Sequence, residues 1–171
     1  MAVFSLHARG ANHPRAPVHP LAGVCAGAIA GAIYLVAQSI LAGSASGDTW
    51  LPLRRICAIL LGEDVLSGAD FGIELAGIGL LVHFAVSIVY GRFVDLAVRD
   101  APLLRATVTG GIVGLAMYLV VFELVAQFVF PWFGNSPDGI TALDHVLFGV
   151  ICGAVYWVLR RRLPMLQEAP R

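Results

Sequence analysis

The chain has 171 residues, 58% hydrophobic and 13% charged, with a formal net charge of zero. A soluble domain carries about 25% charged and 45–50% apolar residues. The apolar excess here lies in long unbroken blocks, which excludes an ordinary water-soluble domain. It also excludes a transmembrane β-barrel, whose strands are shorter and alternate in polarity.

In chain order, residues 1–19 form a polar N-terminal tail with Arg9, Arg15 and three histidines, and without an apolar core of signal-peptide length. Four blocks follow, near 20–43, 71–98, 103–130 and 140–159. Each has the roughly 20 residues that a helix needs to cross a hydrocarbon core. The expected fold is all-α: a polytopic membrane protein with a four-transmembrane-helix bundle. Its first hairpin covers 20–98, its second 99–160, and a basic tail 161–171 closes the chain. "GSASGD" at 43–48 reads as a flexible exit from the first span. Asp100-Ala101-Pro102 supplies cap and first-turn chemistry for the third span, and Ser136-Pro137 does so for the fourth.

The loop after the first span contains "TWLPLRRICAILLG". Leu53, Ile56, Cys57, Leu60 and Leu61 fall on one helical face, with Arg54 and Arg55 pointing elsewhere. The run is too short to span, so a short interfacial helix is expected near 52–62, with Trp50 at headgroup level. A helix packed on the loop and facing solvent is the alternative.

All eleven basic residues are arginines. Arg9, Arg15, Arg92, Arg99, Arg105, Arg160, Arg161, Arg162 and Arg171 fall on one side of the predicted bundle; Arg54 and Arg55 fall on the other. The positive-inside rule then places both termini in the cytoplasm. Lysine is absent, so no glycine-rich phosphate loop with its lysine exists. No nucleic-acid partner, catalytic triad or metal spacing is evident; no enzyme activity, metal or cofactor is expected. Cys25, Cys57 and Cys152 read as small packing residues.

Small residues recur every four positions. Gly23, Gly27 and Gly31 in the first span match Ala106, Gly110 and Gly114 in the third. His83, Ser87 and Gly91 in the second match His145, Gly149 and Gly153 in the fourth. The pattern suggests two tandem helical hairpins related by a parallel repeat. Such faces let membrane helices approach closely. The glycine faces mark the first and third spans as close neighbours, of each other or of a second copy of the chain. The expected partners are therefore the lipid bilayer and other membrane helices.

Ionisable groups at membrane depth are costly and each raises a functional question. Gln38, Glu123, Gln127, Asp144 and His145 project to one candidate polar layer, with His83 deeper. Glu123 stands among apolar neighbours and needs a partner, with His145 the first choice and Gln38 the second. The layer reads either as structural hydrogen bonding between helices or as a proton or ion relay. Haem ligation by His83 and His145 is weighed as a third reading, against an expected depth difference of about two helical turns.

At "WLPLRRICAILLG", "LVHFAVSIVYG", "FPWF" and "DHVLFG" the chain resembles small bacterial inner-membrane proteins with four predicted spans, some labelled sodium:proline symporter. The resemblance implies an inner-membrane location over residues 20–160. It implies no mechanism, because transporters of that kind use many more helices around a midplane site. The leading expectation is an integral membrane protein of structural or accessory type. The rival is a small oligomeric transporter or proton-coupled channel.

Overall fold

The structure, a computed structural model, describes residues 19–67, 71–130 and 139–167, with the side chains of Gln127 and residues 164–167 excepted. Arg9, Arg15, the Pro131-Trp132 and Ser136-Pro137 pairs, Arg171 and the Gln127 side chain lie outside the described set.

Helix α1 (Pro20–Ser46) starts with proline in its first turn and ends at Gly47, φ 77°. The Gly47 N–H closes on the Gly43 carbonyl at 3.0 Å. This left-handed stop suits a residue without Cβ. Helix α2 (Leu51–Leu61) begins after Asp48 Oδ1 accepts the Trp50 N–H at 2.9 Å. A short α3 (Asp64–Ser67) leads to α4 (Ile73–Val98). Helix α5 (Leu103–Tyr118) passes into a π-helical segment (Leu119–Val125) and then α6 (Ala126–Val129). Helix α7 (Gly139–Gln167) is the last and runs on past the expected end near 159. No strand occurs among the described residues.

Four stretches are long and apolar enough to cross a membrane: Pro20–Ser46, Ile73–Val98, Leu103–Val125 and Gly139–Leu163. Their packing is the inverse of a soluble bundle. The buried positions hold small residues, with Ala22, Ala26, Ala30, Ala106 and Cys152 each 0% exposed. Large side chains such as Leu81, Leu104, Ile112 and Leu124 point outward. In water this would be an extended apolar patch. In lipid it costs little, and close backbone packing supplies the cohesion.

The spans pair as α1 with α4 and α5 with α7; α7 also lies against α1, and α2 against α4. The small-residue faces make these pairs. A Cβ built on Gly27 would overlap the Ser87 carbonyl, and one on Gly31 would meet the Ser87 hydroxyl and His83 Nε2. Gly91 lies against the Gly23 carbonyl. In the second pair, Gly110 lies on the Gly149 carbonyl, Gly114 on the His145 carbonyl and Gly153 on the Ala106 carbonyl. Both pairs share one register: Gly27 meets the Ser87 carbonyl as Gly110 meets that of Gly149, and Gly91 meets the Gly23 carbonyl as Gly153 meets that of Ala106.

Three local expectations are corrected. Arg54 does not point away from the packed face of α2. It is buried beside Leu53, Cys57 and Ala58, pairs with Asp48 at 3.2 Å and lies over the Phe71 ring. Leu60 and Leu61 are exposed instead. The periodicity located the apolar face, but an ion pair and a cation–π contact made a buried guanidinium tolerable and rotated the face. Asp100 does not cap α5, whose N-cap is Pro102; it faces Arg160 at 3.2 Å. Helical spacing leads one to expect Asp95 to pair with Arg99 at i+4; it pairs with Arg92 instead.

The end of the bundle opposite α2 is tied by charges. Asp95, 0% exposed, also accepts the His19 backbone N–H at 3.2 Å, at the start of α1. Negative charge is favourable there. Arg160, on α7, donates to the carbonyls of Arg99 and Ala101, so it clasps the connection between α4 and α5.

Candidate functional site

The pairing of hairpins leaves a cavity of about 280 Å³ between α1, α2, α4, the π segment and α7. It lies toward the α2 end. Helix α1 contributes Tyr34 and Gln38, α4 contributes His83, Ser87 and Tyr90, and α7 contributes Asp144, His145 and Phe148. Arg55 comes from α2, and Val121 and Phe122 come from the π segment.

Local folding explains the positions. On α4, His83, Ser87 and Tyr90 are four and three residues apart, so they share one face. That face starts as the small-residue contact with α1 and turns into the cavity wall. Tyr34 and Gln38 continue the Gly23-Gly27-Gly31 line by further steps of three and four. The helices touch where the line holds glycine and separate where it holds tyrosine. The π segment adds one residue per turn and re-aims the side chains that follow. In this chain it sets Val121 and Phe122 on the cavity wall.

The histidine rings have defined roles. His83 Nε2 lies 2.9 Å from the Gly31 carbonyl, and His145 Nδ1 lies 2.8 Å from the Thr141 carbonyl. A carbonyl only accepts, so both of these nitrogens carry protons. In the neutral rings, His83 Nδ1 and His145 Nε2 are therefore acceptors. No bond from either to another described residue is present, and both rings stand on the cavity wall. His145 is boxed by Tyr90, Tyr118 and Phe122, with ring centroids 6.4, 5.7 and 5.4 Å away. Phe148 stands edge-on to Tyr34 at 6.0 Å and to Tyr90 at 5.8 Å.

Of the polar layer read from sequence, Gln38, Asp144 and His145 line this cavity, and so does His83. The expected depth offset does not part the two histidines. Glu123 lies elsewhere: it is exposed on the π segment, and Oε1 accepts from the Tyr118 hydroxyl at 3.4 Å. His145 takes the Thr141 carbonyl instead, and the Tyr118 ring is the neighbour common to both. Among the described residues no three histidine, cysteine, aspartate or glutamate side chains are placed to hold a metal ion.

The residues that periodicity did not single out are Tyr34, Tyr90, Phe122, Phe148 and Arg55. A signal for most of them exists: Tyr34-Gln38, His83-Ser87-Tyr90 and Asp144-Phe148 are polar or aromatic residues at helical spacing. The contribution of Phe122 follows from the π segment. The apolar run around Glu123 gives no warning of that segment.

Cys57 lies outside the spans. Its thiol donates to the Leu75 carbonyl at 3.0 Å. Burial pushes its pKa above the ordinary thiol range, against a smaller opposing effect of the Gly79 backbone.

No family model matches the chain, and neither a curated protein nor a solved structure is similar to it.

Proposed function

We propose that this chain is an integral membrane protein whose work is to bind a small amphipathic molecule in the cavity between its hairpins. The observation that carries this reading is the cavity wall. An apolar and aromatic enclosure with a few converging polar groups is what small-molecule sites present. Two histidines, each with one ring nitrogen left as an acceptor, stand on it.

A purely structural role through the small-residue faces has less to support it. Those faces are spent inside the chain, between α1 and α4 and between α5 and α7. A relay through Glu123 lacks its first link, because Glu123 is bonded to Tyr118 and lies off the cavity. We also propose that the two hairpins descend from one duplicated unit, on the strength of their common register. The arginine distribution and the resemblance favour a bacterial inner membrane with cytoplasmic termini. In that orientation the cavity and α2 face the periplasmic leaflet. A cytoplasm-dependent reporter joined after Arg171 is then active and a periplasm-dependent one silent; the reverse pattern overturns the orientation.

The binding reading is tested with 2-phenylethanol, a neutral aromatic alcohol, on the full chain in detergent. Saturation-transfer NMR is expected to show binding to the native protein and none to Val82→Trp, which fills the cavity from α4. Equal signals from both proteins place the alcohol in the micelle or on the surface and refute the reading.

A further inference from the structure

We infer that the cavity selects organic monocations, that is, protonated amines with an aromatic or apolar body. This inference rests on the reading of the cavity as a binding site and goes beyond it by assigning the charge of the ligand. Three observations converge. On the two histidines that line the cavity, His83 Nδ1 and His145 Nε2 can accept and cannot donate while the rings are neutral. Their other nitrogens are committed to backbone carbonyls, which holds that tautomer in place. A ligand meeting them must bring N–H or O–H donors.

The second observation is the wall. Tyr34, Tyr90, Phe122 and Phe148 present aromatic surface to one space. Aromatic faces attract cations, most of all where water is scarce. The third is the placement of fixed charge. Asp144 lies on α7 within a membrane-spanning stretch, is half-buried, and acts electrostatically on both Tyr34 and His145. The opposing charge, Arg55, is exposed on α2 at the rim. Solvent and salt screen an exposed charge far more than a half-buried one. Arg55 also acts on Tyr34, but less than Asp144 does, and Asp144 alone of the two acts on His145, so the interior of the cavity is biased toward positive ligands.

The alternative, an amphipathic anion held by Arg55, would put its carboxylate near Asp144 and offer acceptors to acceptors.

The test compares three molecules of one shape: 2-phenylethylammonium, 2-phenylethanol and phenylacetate. Binding to the full chain is followed by saturation-transfer NMR titration, against the Val82→Trp protein as blank. The amine is expected to bind about tenfold tighter than the alcohol, as one charge-assisted contact with aromatic support gives. Phenylacetate is expected to bind weakest. Asp144→Asn should bring the amine within about threefold of the alcohol while alcohol binding persists, which also shows that the variant is folded. Arg55→Gln, at an exposed position, should leave amine binding equal or stronger. The inference is overturned if phenylacetate matches the amine, if Asp144→Asn leaves the amine preference intact, or if Arg55→Gln weakens the amine. In the native protein, an amine that binds no tighter than the alcohol refutes the charge assignment alone. Absence of binding by all three compounds refutes the binding reading itself.

Discussion

Replacing Gly110 with alanine tests the packing argument most directly. A Cβ at Gly110 would overlap the Gly149 carbonyl and press on the Gly153 Cα. The obstruction is backbone in a helix, so no side chain can turn aside. The helices must part, and a gap of about 0.5–1 Å already forfeits a quarter to a half of each dispersion contact along the seam. Overpacking of this kind costs about 1–3 kcal/mol. Alanine recovers about 1 kcal/mol of helix propensity over glycine, so the net expectation is a loss of up to about 2 kcal/mol. Gly77 is the internal control. It lies in α4, yet a Cβ there meets nothing within 4 Å. Gly77→Ala should therefore stabilise by about 0.5–1 kcal/mol. Both are read by unfolding in mixed micelles with rising dodecyl sulfate, followed by far-ultraviolet circular dichroism. Changes of the same sign and size in the two variants would refute the claim that backbone contact holds the hairpin.

The charged end of the bundle gives two further expectations. Asp95→Ala leaves Arg92 and the His19 N–H at the start of α1 without their carboxylate; the same unfolding assay should show a loss of about 1–3 kcal/mol, and a loss indistinguishable from zero would refute the account. Arg160→Lys removes the fork that reaches the Arg99 and Ala101 carbonyls and Asp100. Amide exchange at Arg99 and Ala101 should then quicken, with a stability loss of about 2 kcal/mol; unchanged exchange contradicts the clasp. The raised pKa of Cys57 leaves less thiolate at any given pH. Its alkylation by iodoacetamide should therefore be slower in the folded protein than in dodecyl sulfate at pH about 8, with the rate profile displaced to higher pH. Coincident profiles would mean that the thiol is not buried.

Several features of this protein were legible in the residues alone. Block length and polarity determine four spans, because a helix in lipid must satisfy its own backbone over a fixed thickness. The four-residue recurrence of Gly23-Gly27-Gly31 and its three counterparts located faces without side-chain bulk. Spacing along one helix is a local property, and it carries over into structure directly. What touches those faces is not local. Only the tertiary structure decided that α1 meets α4 and α5 meets α7. The same holds for Arg54, whose burial depends on Asp48 and Phe71, and for Glu123, which depth along the helix placed beside His145. Depth is a single coordinate; the rotation of each helix and the π segment supply the other, and they put Glu123 outside while carrying His83, Asp144 and His145 to one cavity. That cavity exists because the contact line changes from glycine to tyrosine partway along α1, a consequence of packing two helices that neither sequence block states by itself.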